Sequence, residues 1–94
     1  MGSSQRRIKI VVHGAVQGVF FRATCRQEAR QRGVSGWVRN APDGTVEAVF
    51  EGSDHDVTSM AAWAEKGPPE ARVERVEVME EPVEGLTEFV IRRD

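Results

Sequence analysis

The sequence predicts an α+β fold, with two helices packed on one face of an antiparallel sheet of four to five strands. Three observations lead there. β-Branched residues alternate with polar ones in several short runs, and two longer stretches repeat apolar residues every three or four positions. Glycine- and proline-bearing turns separate these segments. Their order is β-α-β-β-α-β with a short extra strand, which is the ferredoxin-like arrangement.

Ninety-four residues suffice for one core and one domain. Residues 1–6 are expected to be a flexible tail and residues 7–94 a single domain. Hydrophobic residues at 39% and charged ones at 30% set the chain apart from disordered sequences. A net charge of −2 supplies no overall positive field to gather nucleic acid, so any anion site must be local. Cys25 is the only cysteine, which excludes an internal disulfide and cannot by itself build a zinc site. That fits a reducing compartment. No apolar run approaches the roughly 20 residues of a membrane helix. Met1 to Arg7 also lacks the apolar stretch of a signal peptide. The expectation is a cytoplasmic monomer without membrane or nucleic-acid partners.

Arg7 to His13 reads as the first strand, with Ile8, Ile10 and Val12 on one face. From Arg22 to Arg32 the pattern turns helical. Phe21, Cys25 and Ala29 recur every four residues toward the sheet, and Gly33 marks the end. Cys25 is therefore read as a small core residue rather than a nucleophile. Val34 to Asn40 forms a second strand, Ala41-Pro42-Asp43-Gly44 a turn, and Thr45 to Glu51 a third strand. On that third strand Val46, Ala48 and Phe50 face inward, while Thr45, Glu47 and Glu51 face out. Ser53 and Asp54 are good caps for a second helix, whose stripe is Val57, Met60, Ala61 and Ala64, with Trp63 at its margin. Gly67-Pro68-Pro69 stops it. Val76 and Val78 mark one later strand, Phe89 and Ile91 another, and Glu80 to Gly85 is read as a solvated loop between them. The acidic residues there suggest surface rather than a metal site, because no histidine is placed to complete one.

The stretch from His13 to Arg22 carries the chemistry. Two glycines in a loop between strand and helix allow main-chain N–H groups to turn toward an anion, and the helix start adds its dipole. Arg22 contributes a permanently charged fork suited to phosphate oxygens. The loop Gly14–Val19 with Arg22 is a candidate phosphate cradle, although its spacing is neither that of a P-loop nor that of a dinucleotide site. The first two strands are joined through a helix, so they run parallel and end at the same edge. Asn40 ends the second, which brings it to the cradle. An amide both donates and accepts, so it can hold a water in a fixed orientation.

Gly14-Ala15-Val16-Gln17-Gly18-Val19-Phe20-Phe21-Arg22 resembles the first signature of the acylphosphatases, and Gly36-Trp37-Val38-Arg39-Asn40 with Asp43-Gly44-Thr45-Val46 resembles their second. The resemblance implies that Arg22 and the backbone N–H groups of Ala15, Val16, Gln17, Gly18 and Val19 bind the phosphate. It implies that Asn40 orients the attacking water. The implied substrates are acyl phosphates, hydrolysed to a carboxylate and inorganic phosphate without metal or cofactor, with inorganic phosphate a competitive inhibitor. His13 lies near the cradle, and a packed or solvent-facing role is preferred for it over that of a general base.

Two other readings remain open to test. An RNA-binding module shares this topology, but it would stack bases on exposed aromatic residues, and Phe50 is expected to face inward. A silent anion-binding module would keep the cradle but would have no use for Asn40.

Overall fold

The computed structural model describes residues 4–93. The chain runs β1 (Gln5–Ala15), α1 (Phe21–Gln31), β2 (Ser35–Asn40), β3 (Val46–Ser53), α2 (Asp54–Ala64), β4 (Arg72–Glu81) and β5 (Phe89–Ile91). The strands form one sheet in the order β4-β1-β3-β2-β5. β3 lies antiparallel between β1 and β2, so these two run parallel, as expected of strands joined through a helix.

Alternation places Ile8, Ile10, Val12, Val46, Ala48 and Phe50 on the face that α1 and α2 cover, and all six are buried. The helices answer with Phe21, Cys25 and Ala29 from α1 and Val57, Met60 and Ala64 from α2. Trp63 packs at the margin, its ring centroid 5.3 Å from that of Phe21. α2 begins as its sequence requires: Ser53 Oγ accepts from the N–H of Asp56 at 3.2 Å, with Asp54 and Asp56 in the first turn. Burial pushes the Cys25 thiol well above its ordinary pKa, so it is a protonated core residue without nucleophilic character.

Four expectations need correction. The sheet is mixed rather than antiparallel, because β5 pairs parallel to β2, with Gly36 opposite Phe89 and Val38 opposite Ile91. The main chain fixes that direction: Gly36 donates to the carbonyl of Glu88 at 2.8 Å and Arg92 to that of Val38 at 2.9 Å. Secondly, Glu80 and Glu81 belong to β4 rather than to a solvated loop, since Arg6 and Arg7 on the neighbouring β1 pair with them. Thirdly, Glu51 does not face solvent; it is 3% exposed. The segment before β5 covers it, and its carboxylate accepts the N–H groups of Glu84 at 3.0 Å and of Gly85 and Leu86 at 2.7 Å each. Arg7, also buried, lies 3.4 Å away on β1. The strand β1 also starts earlier than expected, with Arg6 opposite Gly52, so only residues 1–3 of the expected tail lie outside the described residues.

Candidate active site

β1 and β2 both end at the same edge of the sheet, and between their ends lies a cavity of about 410 Å³. The loop after β1 gives it Val16, Gly18 and Phe20, α1 gives it Arg22 and Arg26, and Asn40 comes from the last position of β2. Ile91 and Arg93 reach it from β5 and the residues just after it.

The loop is shaped by its backbone. A register shift separates His13 from Gly14, and Gly14 has a φ of +129°. A Cβ on Gly14 would sit 2.1 Å from the carbonyl oxygen of Arg72, so only glycine fits between β1 and β4 here. Gly18 and Phe20 also take positive φ, 75° and 64°. Phe20 is the residue preceding α1, and it is 72% exposed. No side chain caps this helix, and its first turn carries no carboxylate, in contrast to α2. The first helical bond runs from the N–H of Thr24 to the carbonyl of Phe20, 3.1 Å, so the N–H groups of Phe21, Arg22 and Ala23 remain without a main-chain acceptor among the described residues. A helix start in this condition attracts an anion through both its donors and its dipole.

The residues expected to form the cradle differ in their surroundings. Val16 is buried and anchors the loop in the core, while Ala15 is the exposed last residue of β1, opposite Arg72. Val19 packs half-buried against the core. Gln17 turns its side chain to the β2–β3 turn, where Nε2 donates to the carbonyls of Ala41 at 2.8 Å and Thr45 at 2.9 Å. Its amide is a strut between the two halves of the site, which the sequence reading missed.

Arg22 is half-buried, and no hydrogen bond or ion pair engages its guanidinium among the described residues. Asn40 pairs through its backbone with Val46, yet its Oδ1 is buried with no hydrogen-bond partner among the described residues. A buried acceptor left unpaired costs about 1–3 kcal/mol, and Asn40 is one of the residues lining the cavity. His13 stands elsewhere. Val12 points to the helices, so His13 lies on the opposite face of the sheet, bonded to Glu77 on β4. That bond holds the Glu77 carboxyl below the usual carboxylate range.

Sequence reasoning also missed Phe20, Arg26 and Arg93 as walls of the cavity. Arg26 was within reach, since it follows Arg22 by one helical turn and shares its face. Arg93 was not, because only the pairing of β5 beside β2 brings it there.

Element order and sheet topology make the molecule a ferredoxin-like α+β protein with a basic cavity at one end of its sheet. Residues 8–91 match the family described as Acylphosphatase. The chain is 58% identical over 80 residues to an acylphosphatase of Rubrobacter xylanophilus, covering 85% of this chain and 73% of that one. It is 50% identical over 93 residues to one of Haloquadratum walsbyi, covering 99% and 100%. The solved structure of an acylphosphatase from Coxiella burnetii superposes with a TM-score of 0.90 at 38% identity, over 94% of this chain and 93% of that one. The chain belongs to the acylphosphatase family and is a hydrolase acting on acid anhydrides, the acyl phosphates.

Proposed function

We propose that Arg22 and the N–H groups of the loop Ala15–Val19 and of the start of α1 hold the phosphate of an acyl phosphate, and that Asn40 holds the water that attacks it. The water oxygen forms a bond to phosphorus while the bond from phosphorus to the acyl oxygen breaks. The electron pair of that bond leaves with the carboxylate. A phosphate oxygen accepts the water's proton, so no side chain need act as base. Arg22 and the N–H groups stabilise the charge on the phosphoryl oxygens as it redistributes. An acyl phosphate is already an activated anhydride, so positioning and charge stabilisation suffice and no metal or cofactor is required.

One observation carries this reading: Asn40, whose buried Oδ1 has no hydrogen-bond partner among the described residues, lines the same cavity as Arg22, whose guanidinium has none among them either. A water donating to that atom would satisfy it while presenting a lone pair to a phosphate on Arg22. On the same reading inorganic phosphate, the product, competes with substrate, and the protein works as a cytoplasmic monomer on small molecules rather than on nucleic acid or membrane. The experiment is hydrolysis of benzoyl phosphate followed by ultraviolet absorbance with EDTA present. Turnover that survives chelation and is competitively inhibited by inorganic phosphate supports the reading. Folded protein without turnover would instead be a silent phosphate binder.

A further inference from the structure

Arg22 has two companions that hydrolysis at the phosphate leaves unexplained. Arg26 and Arg93 line the same cavity, and among the described residues no aspartate or glutamate is one of its walls. Elsewhere on this acidic chain Arg6, Arg7, Arg32, Arg39 and Arg75 each face a carboxylate. Arg26 and Arg93, like Arg22, have no ion pair or hydrogen bond among the described residues. Three guanidinium groups around one cavity repel each other unless an anion joins them. A fully ionised acyl phosphate brings two negative charges to these three positive ones, and both belong to the phosphate. The acyl end of the substrate therefore meets surplus positive charge.

We propose that Arg26 and Arg93 select acyl phosphates whose acyl group carries an anionic group of its own, a carboxylate or a second phosphate. This rests on the hydrolytic reading above. The added anion keeps its charge throughout the reaction, so the arginines bind ground state and transition state alike. Their effect falls on KM, not on kcat.

The test compares succinyl phosphate, which ends in a carboxylate, with butyryl phosphate, its uncharged counterpart, for wild type, R26Q/R93Q and R26K/R93K, each checked for folding by circular dichroism. Wild type is expected to prefer succinyl phosphate by roughly tenfold in kcat/KM, through KM. R26Q/R93Q brings that ratio near one, R26K/R93K retains part of it, and about 0.5 M salt narrows it. A wild-type ratio near one overturns the proposal. So does an equal loss on both substrates in R26Q/R93Q, which would assign the two arginines to the phosphate instead. Failure of folded wild type to hydrolyse either substrate defeats the hydrolytic reading itself, and the selection with it.

Discussion

The side-chain amide of Gln17 donates to the main-chain carbonyl of Ala41 across 2.8 Å, so the loop after β1 and the turn after β2 are fastened to each other. Arg22 follows from the first of these segments and Asn40 precedes the second. Gln17→Ala is therefore expected to lower stability by about 1 kcal/mol, since both carbonyls keep a main-chain partner. It should also cut kcat/KM for benzoyl phosphate roughly tenfold by loosening the spacing between guanidinium and amide. Urea melts and steady-state kinetics measure the two effects separately. A loss of stability with full activity would make the strut purely structural.

Arg22→Ala and Asn40→Ala should fail differently. Without the guanidinium, a charged hydrogen bond worth about 1.5–3 kcal/mol disappears from substrate and transition state, so KM rises and kcat falls. Without the amide, kcat should drop roughly a hundredfold with little change in KM, if, as proposed, the amide acts on the water and not on the phosphate. Asn40→Ala should also be at least as stable as wild type, since it removes a buried acceptor that has no partner among the described residues. Wild-type kcat in Asn40→Ala would show that some other group places the water.

Acid should weaken the fold through Glu51. Burial pushes its carboxyl up, but the N–H groups of Glu84, Leu86 and Gly85 and the Arg7 guanidinium outweigh burial and hold it below the ordinary glutamate value of 4.5. A carboxyl depressed in the folded state contributes stability that is present above its unfolded pKa and is lost as pH falls through the folded one. Stability should thus hold from neutral pH down to about 5 and decline below about 4.5. Glu51→Gln should cost about 3 kcal/mol at pH 7, because it leaves charge on buried Arg7 less well compensated, and should flatten the decline in acid. Denaturant melts across pH 3 to 7 read both.

Gly14→Ala should be among the most damaging single changes. The new methyl group meets the carbonyl of Arg72 at 2.1 Å, and the backbone stands at a φ of +129° that alanine avoids. A loss of about 3 kcal/mol or more is expected, seen as a fall in Tm, with the cradle displaced as β1 and β4 separate. A variant with wild-type Tm would mean that the register shift beside His13 can be relaxed.

Local pattern carried most of the fold. The inward residues of β1 and β3, the α1 stripe of Phe21, Cys25 and Ala29, and the Ser53 cap all obey periods of two and 3.6 that neighbouring residues suffice to reveal. The convergence of Asn40 on the glycine loop followed from a topological rule that needs only element order. What escaped depended on distant partners. Glu80 and Glu81 look like loop until Arg6 and Arg7 are set across from them on β1. Glu51 occupies an outward position and is buried only because residues 84–86 fold over it. A three-residue strand such as β5 states nothing about its direction, and with that direction went Arg93 as a wall of the cavity.

β1 lies between β3 and β4, with Val12 opposite both Val46 and Val76. Neither neighbour is close in sequence, so the entropy of closing long loops is spent before either ladder rewards it, and folding is expected to be slow for a chain of this size. On the ribosome the run Ile8, Ile10, Val11 and Val12 emerges well before the strands that shield it. For that interval this segment is an unpaired apolar strand, the part of the nascent chain most in need of a chaperone and most prone to pair with a copy of itself.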